Sequence, residues 1–421
     1  MNLYLYCTIL HKKLTSRDAG VISCCILPVH LPQQEPCLMP VSSIAIIGAG
    51  IAGLSAASYL AAQGHAVTIF EKGRGPGGRL ASRRTPHGPL DIGAQYFTAR
   101  DPRFQSALET WRADGIVAPW GDRLLRLGKT ASDTQEWQRL RDDSARYVAS
   151  PRMSALSRHL SEELPVNATL HTRLRITRLI RDEAPGGKVR WQLEDRDGER
   201  HGPFDHVMIT APAPQARALL NDAGTDAEGN VPASAQQTPH SLAPELSALL
   251  SRIEMAPTWT VMAALETPLP ALAGIEDWQG LLVSRGDDAP LRCVMRQHSR
   301  PGRQPSSGAR ETLSLLATAG WSQTHLEDSP EDICAALWQA FTALPEIQAL
   351  GENWSEGKVS LTAHRWRYAH PTRCAPQAMP ASPMSQHGLS LAGDALKGPR
   401  VEDAWLSGRE AAERLADALN S

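Results

Sequence analysis

No CxxC pair occurs in this 421-residue chain, and its seven cysteines are unevenly spread. Cys7, Cys24, Cys25 and Cys37 precede residue 40, which leaves Cys293, Cys334 and Cys374 for the rest. An odd set of this kind excludes a disulfide framework and a zinc site, and points to a reducing, cytoplasmic compartment. No His/Glu spacing suits a metal ion, no Ser-His-Asp set has supporting context, and no metal is expected. No apolar run approaches the roughly 18 residues of a membrane helix. Neither sign of charge is in excess, since 43 Lys and Arg against 45 Asp and Glu leave −2 at pH 7. Nothing electrostatic therefore favours nucleic acid or an anionic membrane surface as a partner. There is no internal repeat, and the length suits two domains or one large one.

What is present begins at residue 42 with SSIAIIGAGIAGLSAASYLAAQGHAVTIFE. A short apolar run leads into Gly48-Ala49-Gly50-Ile51-Ala52-Gly53, a helix-forming segment follows, and a second apolar run closes on Glu71. That is strand, glycine turn, helix, strand and acid, in the order of a dinucleotide site. Gly48 allows the tight turn, Gly50 lets the backbone approach a pyrophosphate, and Gly53 lets the helix pack close to the strand. The helix opened by Ile51 and Ala52 presents free N–H groups and a partial positive charge. Glu71 is placed to accept ribose hydroxyls. The bland alternative is a tight turn with no ligand.

Residues 1–38 have no sustained period, Lys12 and Lys13 follow the first apolar patch, and no long apolar core follows. They read as a non-native extension ahead of a start at Met39, or as a disordered tail. Helices are expected over Ser154–Leu164, Ser329–Leu344 and residues 402–419. Strands are expected over Leu170–Ile176, Lys188–Leu193, Asp205–Thr210, Trp259–Leu265, Gly280–Val283, Thr312–Ala317 and Leu389–Ala392. Residues 101–147 read as mixed helix and loop, and 299–311 as loop. The stretch 221–245 is small and polar and reads as a flexible insertion. Dinucleotide-type signals at both ends and in the middle predict a discontinuous domain over 41–98, 148–220 and 386–421. A second, sheet-bearing domain takes 99–147 and 246–385.

GRGPGGR at 73–79 sets Gly77 and Gly78 beside Arg79, a backbone suited to wrapping a phosphate with a guanidinium as counter-charge. Arg74, Arg83 and Arg84 read as surface charges, with reach of one of them to an anionic substrate as the alternative.

With GAGIAG and Glu71, GPGGR, LDIGAQYF at 90–97 and LAGDALKGPRVEDAWLSGREAA at 391–412, the chain resembles the FAD-dependent amine-oxidase-type flavoproteins. Within these it is closest to the bacterial renalase-like NAD(P)/FAD-dependent oxidoreductases, through YVASPRMSALSRHL, ITAPAPQ, the pair Trp321-Ser322 and HRWRYAHP at 364–371. The resemblance implies an α/β fold: a discontinuous Rossmann-type FAD-binding domain and a mixed-sheet α+β substrate domain. It implies that Gly48, Gly50 and Gly53 lie along the FAD pyrophosphate, with Glu71 and Lys72 at the adenosine ribose. Gly78 and Arg79 would reach the phosphate or ribityl region, and Gly93, Ala94, Gln95 and Tyr96 would run beside the isoalloxazine. Gly393 and Asp394 would hold the ribityl or pyrophosphate. Val401, Glu402 and Asp403 would open a helix under the flavin N1–C2=O edge, where a helix N-terminus stabilises negative charge. No SGGC setting occurs, and Cys374 sits in TRCAP, so FAD is expected to be noncovalent.

On the substrate side, Tyr96, Trp259, Trp321 and Trp366 are candidates for an aromatic slot, each with core packing as its plain alternative. His364 and His370 flank Trp366. Arg296 and His298 end a strand and are candidates to face substrate phosphates. The leading expectation is an FAD-dependent oxidase that moves hydride from a small substrate to flavin N5 and reduces O2 to H2O2. The resemblance implies isomeric dihydro-NAD(P) as that substrate. An amine oxidase or desaturase of the same class is the second reading, and a noncatalytic FAD-binding protein the third.

Overall fold

The computed structural model describes residues 41–129, 135–140, 144–183, 189–221, 241–283, 285–303, 310–351, 358–375, 384–385 and 387–421. The extension read over 1–38 and most of the insertion read over 221–245 lie outside the described residues.

A parallel sheet carries the dinucleotide signals. Its five strands run in the order Leu389–Leu391, His206–Ile209, Ser43–Ile47, Ala66–Glu71, Ala168–Thr172. They come from separate stretches of sequence and are parallel at every pairing. Near-continuous apolar runs such as IAII and HVMI suit a sheet covered on both faces. Alternate residues divide accordingly. Ile44, Ile46, Val67, Ile69 and Met208 pack with Leu54 and Leu60 of the helix Ile51–Ala62. Ala45, Ile47, Phe70, Val207 and Ile209 pack with Leu179, Trp191 and Leu193 of a three-stranded antiparallel layer. Each fully buried Leu or Ile here contributes about 1.5–3 kcal/mol.

Two glycines bring the helices close. A Cβ on Gly53 would sit 2.0 Å from the Gly48 carbonyl oxygen, and Gly48 itself has φ +110. The last helix, Val401–Leu419, crosses Ile51–Ala62, and a Cβ on Gly408 would sit 2.0 Å from the Ala52 oxygen. Only glycine allows either approach.

The larger half is built on a seven-stranded sheet in the order Val359–Arg373, Glu254–Leu265, Glu311–Ala317, Leu291–Arg296, Gly280–Leu282, Leu124–Lys129, Gln135–Arg139. One face is covered by the helix Pro330–Thr342, whose Ile333, Leu337 and Phe341 pack on Trp259, Val261, Leu313 and Leu315. Ser329 caps that helix by accepting from Asp332 N at 3.1 Å.

One strand was not expected, and two expectations are corrected. The 15-residue strand Val359–Arg373 is the longest among the described residues; Val359, Leu361 and Ala363 alternate with polar residues, but from His364 on the alternation is aromatic against cationic. Leu124–Lys129 is a sheet strand inside the stretch read as helix and loop. The strand expected over Leu170–Ile176 divides at Arg173, whose φ is 61, so Ile176 begins a different sheet.

Candidate active site

A single cavity of about 1560 Å³ runs from the glycine turn to the inner face of the seven-stranded sheet. At one end Gly48, Gly50, Ile51, Ala52, Glu71 and Lys72 line it; Gly78, Arg79, Gly393 and Asp394 follow. A Cβ on Gly50 would meet nothing within 4 Å, and one on Gly78 would meet only the Gly50 Cα, at 3.5 Å. No protein atom crowds Gly50, so the space beside it is an open cradle bounded by backbone. These residues fit a pyrophosphate laid across the turn. Lys72 Nζ lies 3.5 Å from Gln215 Oε1.

Glu71 does more than the expected ribose contact requires. Its Oε2 accepts from Ala49 N at 2.8 Å and its Oε1 from Gly73 N at 2.6 Å, which ties the glycine turn to the following loop. Each carboxylate oxygen keeps a further lone pair for a hydroxyl. Arg79 forms a two-pronged pair with Asp394, at 2.5 and 2.6 Å, and donates to the Ala369 carbonyl at 3.1 Å. The Asp394 side chain is 8% exposed and the Arg79 side chain 29%.

Gly93, Ala94, Gln95 and Tyr96 form one edge of the cavity. Gly93 packs on the Arg79 backbone, where a Cβ would sit 2.0 Å from the Arg79 oxygen. The start of the helix Val401–Leu419 also faces the cavity, through Arg400, Val401 and Ala404. Glu402 and Asp403 do not line it. Glu402 is buried and accepts from Arg100 N and Asp101 N at 2.6 and 2.7 Å. Asp403 accepts from Arg400 N at 3.1 Å, capping its own helix. Burial pushes the Asp403 carboxyl up, against the pull of Arg400.

The sheet end is assembled by strand register. One row across the sheet reads Arg126, Leu282, Cys293, Leu316, Thr260, His364. All of these line the cavity. Arg126 is exposed at one end of the row, and the middle is apolar. Beyond the row, Trp366, Tyr368 and His370 add an aromatic wall, and Arg146 and Arg292 add two further guanidinium groups. Trp259 borders the cavity, but its ring packs in the outer core and donates to the His325 carbonyl at 2.9 Å. The Trp366 ring meets His364 edge-on at 4.6 Å. Burial, with Arg83 nearby, pulls the His364 imidazole down to about 4, so it is neutral at pH 7. His370 is also lowered, by burial first and then by Arg292 and Arg79.

Gly53 also lies outside this cavity, packed on the Gly48 carbonyl, and so do three substrate-side candidates. Arg296 is buried and spends its guanidinium on Glu311 at 2.6 and 2.9 Å and on the Trp278 ring at 4.7 Å. His298 Nδ1 lies 2.5 Å from the same carboxylate. Arg296 and Glu311 form a compensated buried ion pair, and neither Arg296 nor His298 lines the cavity. Trp321 stacks on His325 at 4.2 Å in the outer core. Conversely, Arg126, Arg292 and Cys293 were not anticipated. Arg126 lies in a stretch read as mixed helix and loop, and Arg292 and Cys293 lie on the strand that Arg296 ends, where attention went to the strand end rather than to its alternation.

Two family models match the chain. The one described as NAD(P)-binding Rossmann-like domain covers residues 46–111, and the one described as flavin containing amine oxidoreductase covers 121–416. Among curated proteins, the 4,4'-diapophytoene desaturases (4,4'-diaponeurosporene-forming) of Staphylococcus haemolyticus (strain JCSC1435) and Staphylococcus aureus (strain Newman) are each 50% identical over 50 residues. That segment is 12% of this chain and spans only 10% of each desaturase's length. Among solved structures, the cyclohexylamine oxidase of Brevibacterium oxydans IH-35A aligns with a TM-score of 0.62 at 15% identity, over 91% of this chain and 100% of that one. A putrescine oxidase triple mutant, redesigned in its cofactor binding, aligns with a TM-score of 0.57 at 11% identity, over 90% and 99%. At these identities the likeness is one of fold.

Proposed function

We propose, from the premise that this chain belongs to the family of flavin-containing amine oxidoreductases, that it oxidises an organic amine or a saturated carbon–carbon bond in the slot facing Gly93–Tyr96. FAD is the cofactor, held without a covalent link. When bound, it supplies a two-electron acceptor that takes hydride at N5 and passes the electron pair to O2, giving H2O2. The observation that carries this reading is the continuity of the cavity. The glycine turn and the aromatic face of Val359–Arg373 line the same space.

The chain's own residues then have definable tasks. Gly48, Gly50 and Gly78 admit the pyrophosphate, and the Arg79–Asp394 pair lies beside it. Tyr96 and Trp366 wall the slot and exclude water, which strengthens every electrostatic contact inside. His364 Nε2 is buried with no hydrogen-bond partner. It can hold a substrate N–H or accept a proton there, in keeping with its neutral state.

A second reading has its own support. Arg126, Arg146 and Arg292 line the sheet end, whereas the acids Glu327 and Asp328 are taken up by Arg365, Arg367 and His325. A cationic amine is repelled by that wall, and an anionic ring compound such as an isomeric dihydro-NAD(P) is attracted. Anaerobic mixing of the FAD-loaded protein with primary amines and with mixed dihydro-NAD(P) isomers decides between them. Bleaching of the flavin band by amines supports the first reading, and bleaching by minor dihydronicotinamide isomers supports the second. No bleaching by either class counts against amines and dihydronicotinamides alike and leaves carbon–carbon desaturation or a noncatalytic FAD-binding protein.

A further inference from the structure

Behind the Gly93–Tyr96 edge lies a buried charge cluster that neither the motifs nor the slot accounts for. Arg300 is 2% exposed. Its Nη1 donates to the Gln95 carbonyl at 2.7 Å and its Nη2 to Gln95 Oε1 at 2.8 Å. The same guanidinium lies 3.3 Å from Asp91 Oδ2, which Arg303 also reaches at 2.9 Å. Gln297 closes the network, donating to Gln95 Oε1 at 3.0 Å and accepting from Arg303 at 2.5 Å. Arg300 also lies 4.8 Å from the Trp120 ring, which neighbours Tyr96, and Arg146 lies over the other ring of that pair at 5.5 Å. Two guanidinium groups therefore face one carboxylate, and the surplus positive charge is buried directly beneath a cavity edge. Glu311 does not offset it, because Arg296 and His298 already face that carboxylate. The cost of the arrangement is visible in Arg300 itself. Burial pulls it down to about 10, Arg303 adds to the fall, and Asp91 opposes it.

We propose that Arg300 is a positioning residue for the cofactor: through Gln95 it fixes the Gly93–Tyr96 edge against the flavin, and its charge stabilises the flavin when reduced. The proposal rests on the reading of the cavity as an FAD site. A buried, pre-oriented cation acts in a low-dielectric setting and needs no rearrangement as negative charge develops.

The test uses full-length, FAD-loaded protein and needs no substrate. Sulfite is the probe, since its addition to flavin N5 leaves negative charge on the ring. In Arg300→Gln the sulfite dissociation constant is expected to rise at least tenfold. The two-electron potential is expected to fall in step, by about 30 mV per tenfold. Arg300→Lys, which keeps the charge and loses the fork, is expected to recover most of the sulfite affinity. An Arg300→Gln protein that holds FAD, with both quantities within twofold of the parent, overturns the proposal even if its melting temperature drops. Should that variant lose FAD altogether, Arg303→Gln removes a charge from the same cluster and leaves Arg300 on Gln95. Unchanged sulfite affinity there overturns the electrostatic role. Failure to bleach with any amine or dihydronicotinamide touches neither measurement.

Discussion

Trp366 donates its indole N–H to the Ile92 carbonyl at 2.8 Å, and the same oxygen accepts from Thr260 Oγ1 at 3.0 Å. The long strand and the Gly93–Tyr96 edge are thus pinned at one atom, and the slot width is set there. Trp366→Phe removes one of the two bonds and keeps most of the packing. A stability loss of about 0.5–1.5 kcal/mol is expected by chemical denaturation. A severalfold slower flavin bleaching by substrate, at unchanged FAD affinity, is expected by stopped flow.

Gly50 and Gly53 separate cofactor space from protein packing. Gly50 has φ −71 and an open Cβ position, so Gly50→Ala is compatible with the apo fold. Its methyl group enters the cradle, and FAD affinity measured by fluorescence titration is expected to fall more than tenfold while the apoprotein melts as before. Gly53→Ala drives a methyl group into the Gly48 carbonyl, and its apoprotein is expected to lose about 1–3 kcal/mol or more. Equal melting temperatures for the two variants would contradict the geometry.

His206 is buried in the parallel sheet, where burial pulls its imidazole down to about 4. Its folded value therefore lies below the unfolded value near 6.5. Its contribution is fully present above about pH 6.5 and is lost as pH falls from there toward 4, because the unfolded chain then binds the extra proton. Urea midpoints at pH 7.5 and pH 5 are expected to differ in the parent protein. His206→Leu, which cannot titrate, is expected to narrow that difference. His364 adds to the same window with the same sign.

The Arg79–Asp394 pair predicts non-additivity. Arg79→Met strands a nearly buried carboxylate, which typically costs about 3–5 kcal/mol, whereas removing both charges costs less than the sum. A double-mutant cycle on the apoprotein, read by denaturation, is expected to give a coupling well above the error of about 0.5 kcal/mol. A coupling near zero would mean the pair is not formed in solution.

The first βαβ unit and its glycine turn were legible because their physics is local. Apolar runs, a glycine at positive φ and an acid at the strand end all lie within about 30 residues. The sheet end of the cavity was not, because it is a property of register. Arg126, Cys293 and His364 come from strands far apart in sequence, and only pairing sets them in one row. HRWRYAHP hid its strand because its cavity-facing residues are His, Trp and Tyr rather than aliphatic. Arg296 and His298 misled for the converse reason. A strand end rich in charge looks solvated, and the partner that neutralises it, Glu311, lies on the next strand.

The contact of Gly408 with Ala52 has a consequence for how the protein comes into being. The turn that begins at Gly48 is buttressed by a helix made at the far end of the chain. During synthesis the first βαβ unit can form early, but its nucleotide face stays unsupported until residues 401–419 leave the ribosome. Cofactor loading is in this sense a late event, and the same crossing makes FAD capture a reporter of whether the helix Val401–Leu419 has docked on the glycine turn.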